Sequence, residues 1–204
     1  MQAFFYVLSG FFMKISDDAH DKKKNAFLGI FAAILCGVSI GYLAVHSGDA
    51  ACIFLAILIG TVAAWKVDCL NHLISLLIFL LIIVIFGFPP IGIITLLLCT
   101  AAAFIDEIGN DSRWVAEKKH LKTFFEYRFA LKIAILVFAV LGLIQNMIPG
   151  LKINGIQFFS LETFLYFLLF EISYELAGLK FDAIYDRLYS LFRVLRVVDG
   201  SADN

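Results

Sequence analysis

The chain has 204 residues, of which 62% are hydrophobic and 16% charged, with 22 Phe and a mean hydropathy of +0.93. Soluble domains run at about 45–50% apolar, and a chain of this size has too little interior to hide the excess. Fibrous, disordered and disulfide-stapled classes are excluded, and a formal net charge of −1 suggests neither a nucleic-acid partner nor a polybasic surface. The charges lie in short islands between apolar runs of about 15 to 23 residues. This pattern predicts an all-α polytopic membrane protein.

The apolar segments are Ala3 to Ile15, Ala26 to Val45, Ala50 to Trp65, Leu73 to Phe88, Ile91 to Ile105, Phe129 to Ile148 and Phe158 to Leu176. They predict a bundle of about seven transmembrane helices over residues 1–178. The start carries no basic n-region and runs into Asp17, Asp18 and Asp21, so the first segment is expected to be retained. In the second, Gly37 and Gly41 form a small-xxx-small spacing that lets a neighbouring helix approach closely. Cys36, Cys52, Cys69 and Cys99 form no C-x-x-C pair and read as small hydrophobes rather than a zinc or disulfide framework. Beyond the last span, Lys180 to Val198 alternates apolar residues with Asp182, Asp186, Arg187, Arg193 and Arg196. Residues 179–204 are therefore expected to be an amphipathic surface helix and tail.

Alternating the seven spans puts 15 of the 16 Lys and Arg residues on one face, leaving only Lys152 opposite. The positive-inside rule makes that face cytoplasmic, with the N-terminus outside and the C-terminus inside. The same face carries two acidic clusters, Asp17-Asp18-Ala19-His20-Asp21 after the first helix and Asp106-Glu107-Ile108-Gly109-Asn110-Asp111 after the fifth. If the first helix runs one turn further, its aspartates fall three and four residues apart on one face. Clustered carboxylates without thiols suit a hard cation, and Mg²⁺ is commonly held by one or two carboxylates with phosphate oxygens completing its shell. Basic residues beside both clusters would hold a polyanion. Acidic residues also punctuate membrane loops with no role beyond solvation.

Asp17-Asp18-x-x-Asp21-x-x-x-Asn25 resembles the first aspartate-rich motif of the UbiA-type intramembrane prenyltransferases. Glu107-x-x-x-Asp111 resembles their second motif, and Lys66 followed by Asn71 resembles the Lys/Arg and Asn on the family's intervening loop. Asn25 and Glu107 stand where the family has aspartate, and the chain begins at what would be its second helix, so the resemblance is to a divergent, shortened member. It implies Mg²⁺ held by Asp17, Asp18, Asp21, Glu107 and Asp111 as the catalytic set. It implies a prenyl diphosphate neutralised by Lys66, Arg113 and Lys119, with Asn71 at the substrate, and a lipophilic or aromatic acceptor. Glu171, one turn before Glu175 in the last span, is costly at mid-bilayer and is expected to face the interior, lining the cavity beneath the clusters. The alternatives are a non-enzymatic small transporter or ion-binding membrane protein with Glu171 on its pathway, an inactive relative, or another lipid-head-group enzyme using aspartates and metal.

Overall fold

The computed structural model describes residues 1–67, 69–148, 150 and 152–187, and they are helical with no strand among them. Seven long helices, α1 (Gln2–Asp21), α2 (Ala26–His46), α3 (Gly48–Ala63), α4 (Leu70–Phe86), α5 (Ile93–Asp111), α8 (Phe129–Met147) and α9 (Leu161–Leu179), match the apolar segments in order. Two short helices, α6 (Arg113–Ala116) and α7 (Lys119–Glu126), fill the loop between α5 and α8. α2, α5 and α8 are long and apolar enough to cross a membrane; α3 and α4 are apolar but shorter. α1 and α9 carry charged residues within their length. Residues 181–187 continue as helix, and the rest of the expected amphipathic segment lies outside the described residues. Phe181, past the boundary expected at residue 178, is buried with Ile15, Ala19, Ala32 and Ala177.

The helices alternate in direction, and α1 packs between α2 and α9, α4 on α2, and α5 between α3 and α8. These contacts rest on missing side chains. A Cβ on Gly10 would lie 2.2 Å from the Phe170 carbonyl oxygen of α9. One on Gly41 would meet the Ile82 side chain at 2.6 Å, and one on Gly37 would meet the Ser75 carbonyl oxygen at 2.7 Å. The spacing noted in α2 is thus the seat of α4, and helices that cannot gain by hiding grease from lipid associate through such close backbone approach. The interior is aromatic where three helices meet: Tyr6 lies 5.5 Å from Phe54, and Phe54 lies 5.7 Å from Phe170, ring centroid to centroid.

Many large aliphatic side chains face outward. Ile133, Val137, Val140 and Ile144 of α8, and Leu165, Leu169, Ile172 and Leu176 of α9, are exposed at helical spacing, as are Leu77, Leu81, Val84 and Ile85 of α4. Such stripes far exceed the apolar patches a soluble monomer exposes. Such outward stripes suit a bundle with apolar surroundings, although Leu43, Ile53, Leu131 and Ile135 are buried within it.

Candidate functional site at the charged end

The C-terminal ends of α1, α3, α5 and α9 meet the N-terminal ends of α2, α4 and α8 around a cavity of about 440 Å³. Its mouth is charged: Lys14, Asp17, His20, Asp21, Lys66, His72, Glu107 and Arg128, with Tyr174. Its depth is apolar, lined by Ile40, Phe54, Ile57, Leu58, Leu76 and Phe79 among others. The volume lies within the range of small-molecule pockets, about 300–1,000 Å³.

α1 does run through Asp21, and this splits the first acidic cluster. Asp17 and Asp21, one turn apart, line the mouth. Asp18, one residue round the helix, is buried and meets Lys14 at 3.3 Å and Lys22 at 2.8 Å. Asn25 lies in the tight connection to α2, where its side chain caps the helix by accepting from the Leu28 N–H and donates to the Tyr185 hydroxyl. Two residues of the motif thus face the mouth, while Asp18 pairs with lysines and Asn25 holds a helix end.

Asp17 is the hub. Its Oδ1 lies 2.9 Å from His72 Nε2, and its Oδ2 accepts from the Tyr174 hydroxyl at 3.1 Å. The other His72 ring nitrogen, Nδ1, lies 3.2 Å from the Lys66 carbonyl oxygen. Both ring nitrogens are thus held by oxygen atoms, one from α1 and one from the loop before α4. Asn71, buried beside it, donates to the Ser16 carbonyl, while the Ser16 hydroxyl donates to the Gly29 carbonyl, tying α1, α2 and α4 at the cavity wall.

From α5, Glu107 lines the cavity and Asp106 turns away from it. Asp106 is buried, and its carboxylate accepts the Ala130 and Leu131 N–H groups, so it caps α8 from another helix. That cap is needed because Arg128, at the N-terminal edge of α8 with φ +49°, offers no side-chain cap of its own. Instead the Arg128 guanidinium lies 3.9 Å from Glu107 and 5.4 Å from the Tyr174 ring. Burial works against its charge, but Tyr174, Glu171, Glu107 and Asp17 around it outweigh that and hold it above its ordinary value. Asp111 is exposed, meets Lys66 at 2.6 Å and does not itself line the cavity.

Arg113 and Lys119, expected at the diphosphate, are exposed on α6 and α7 and do not line the cavity. Glu171 is buried, 6% exposed, and pairs with Lys132 at 2.9 Å. It lines a second polar chamber of about 110 Å³ with Asp106, Glu107, Glu126 and Glu175, separated from the first by the shared Glu107, Arg128 and Tyr174. The sequence by itself gave Arg128, Tyr174 and His72 no role at the site. A lone Arg opening an apolar run, and a Tyr beside a mid-helix Glu, were the available signals.

Among the described residues, no three His, Cys, Asp or Glu side chains gather into a metal-holding group. Asp17 has both oxygens engaged, and Asp18 and Asp111 are paired with lysines, which leaves Asp21 and Glu107 as the cavity carboxylates nearest to free. Two hard-oxygen donors suit Mg²⁺ that arrives with, and is shared by, phosphate oxygens, not a resident ion in a protein cage. No family model, curated protein or solved structure matches this chain.

Proposed function

We propose that this chain is an integral membrane prenyltransferase, moving a prenyl group from a prenyl diphosphate to a lipophilic or aromatic acceptor. The observation that carries the reading is the single cavity with a charged mouth and an apolar depth. On it converge Asp17, Asp21, Lys66, Asn71 and Glu107, from both acidic clusters and the loop between. An amphiphile would place its head among the charges and its tail against Ile40, Phe54, Leu76 and Phe79. In this reading all seven long helices cross the membrane, with the N-terminus outside and the charged end cytoplasmic. The 16-residue α3 is about 24 Å long and crosses with help from neighbouring protein.

Electrostatics favour a metal-neutralised head. Asp17, Asp21 and Glu107 at the mouth are matched in number by Lys14, Lys66 and Arg128, and the outlying Asp18 and Asp111 are paired with Lys22 and Lys66, so the mouth presents no net positive charge to a bare polyanion. Asp21 and Glu107 would hold Mg²⁺ with the diphosphate; when bound, it offsets the charge that builds on the leaving oxygens. Lys66 and Arg128 add fixed positive charge to that end, and the His72 ring lies beside them. The bond from the allylic carbon to the diphosphate oxygen breaks with its electron pair going to oxygen. The carbon bonds to the acceptor, whose displaced proton passes to water at the mouth.

The test is the purified chain in lipid with Mg²⁺ and prenyl diphosphates from geranyl to geranylgeranyl and longer. Mg²⁺-dependent diphosphate release, lost in Asp17→Asn, is the expected result. Absence of Mg²⁺-dependent binding to every one of them overturns the reading. The buried Lys132–Glu171 pair beside the second chamber favours an ion-transporting protein as the rival. Ion flux in liposomes that Glu171→Gln abolishes would establish it, and no flux would leave an inactive relative.

A further inference from the structure

The segment of residues 112–127, which leads from α5 to Arg128 and α8, does not line the main cavity. Its apolar side is anchored inward: a Cβ on Gly109 would lie 2.3 Å from the Phe125 ring, and Phe124 stacks on Phe129 at 5.6 Å. Its other side is basic and exposed, with Arg113, Lys118, Lys119, His120 and Lys122 around Trp114, which is 59% exposed. Lys118 Nζ lies 3.7 Å from the centre of the Trp114 ring. Elsewhere at this end Lys14, Lys22, Lys23, Lys66, Arg128 and Lys132 each meet a carboxylate, while among the described residues Lys24 and Lys180 stand singly, not as a cluster. Among the described residues, Arg113, Lys118, Lys119 and Lys122 meet none, although Glu117 and Glu126 lie in the same segment.

The place of this surface says what covers it. The outward apolar stripe of α5 runs through Ile105 and Ile108, and α8 starts outward at Phe129, so the basic segment begins where the hydrocarbon-facing surface stops. The chain's other tryptophan, Trp65, is 91% exposed at the same end, after α3. Tryptophan beside unpaired cations at the edge of an apolar belt matches the chemistry of the head-group layer, an apolar ring with a polar edge next to phosphate.

We propose that α6 and α7 form an interfacial anchor that binds the head groups of anionic phospholipids, with Arg113, Lys118, Lys119 and Lys122 on the phosphates and Trp114 at the level of the acyl esters. The anchor holds the charged end, and with it the mouth of the cavity, at an anionic leaflet. It does not depend on the chemistry proposed for the cavity.

The full chain carrying Trp65→Phe leaves Trp114 as the sole tryptophan. It is reconstituted in vesicles of phosphatidylcholine with a minority of phosphatidylglycerol, one lipid at a time bearing bromine on its acyl chain near the ester. Brominated phosphatidylglycerol should quench Trp114 about threefold beyond its share of the lipid, and the excess should shrink as salt is raised. It should vanish in Lys118→Gln/Lys119→Gln/Lys122→Gln with helicity unchanged. Quenching in proportion to lipid share, or an excess indifferent to salt or to the three lysines, overturns the proposal. The salt series on the native lysines stands even if the triple variant does not fold.

Discussion

The two ends of the bundle use polar residues in opposite ways. At the end away from the charges, Asp49 accepts from Gln157 Nε2 at 2.7 Å, the Ser160 N–H at 2.9 Å and the Thr163 hydroxyl at 2.8 Å. The Gln157 Oε1 accepts the Gly92 N–H, and Gln157 also exchanges backbone hydrogen bonds with the Thr95 hydroxyl. This knot joins α3, α5 and α9, and its named groups satisfy one another. At the charged end a comparable number of polar groups surrounds a cavity, with Asp21 exposed at the rim and Glu107 no nearer than 3.9 Å to Arg128. A satisfied network fixes helices; an open one keeps capacity for a ligand. The opposite end therefore reads as structural, although Asp49 by itself looks no less functional than Asp17.

The sharpest way to break this contrast is to exchange activity for stability. His72→Gln and Asp17→Asn each break the hydrogen bond between His72 and the carboxylate that orients it at the mouth, and each should lower turnover in the proposed reaction about a hundredfold, with unfolding in detergent almost unchanged. A large loss of stability with turnover intact would assign the dyad to the fold. Asp49→Ala should do the reverse, costing about 2–3 kcal/mol because three donors are stranded, as measured by denaturant unfolding, while Mg²⁺-dependent ligand binding persists in the folded fraction.

Asp106→Asn refines the comparison within the charged end. It leaves one acceptor where two N–H groups of α8 now bond, and should cost about 1 kcal/mol, with hydrogen exchange accelerating first at Ala130 and Leu131. The smallest effect concerns the exposed pair of Lys23 and Asp182, 2.8 Å apart. The hydrogen bond from Lys23 holds Asp182 below the usual carboxylate range, and the same bond holds Lys23 above its ordinary value. Their contribution is present between those two ranges. It is lost as pH falls through the folded value of Asp182 and again as it rises through that of Lys23. Hydrogen exchange at residues 181–187 should rise slightly at both extremes, and not at the acid one in Asp182→Asn.

Hydropathy marked every long helix because each carries a long apolar run, whatever it packs against. The gathering of basic residues at one end followed from the same count; that Asp17 and Asp21 fall one turn apart on a helix was conditional on α1 running a turn further, as it does. Spacing did not divide Asp17 from Asp18: both end the same helix, and only the position of Lys14 and Lys22 on one side and of His72 and Tyr174 on the other separates a buried ion pair from a cavity wall. Nor did it show that Asn25 is a helix cap, that Asp106 caps a helix 24 residues away, or that Arg113 and Lys119 face outward. Composition and period along the chain fix where helices run, since these depend on each segment and its solvent. What a polar side chain does at a helix end depends on which other helix brings a partner within about 3 Å, and that only the packed bundle decides.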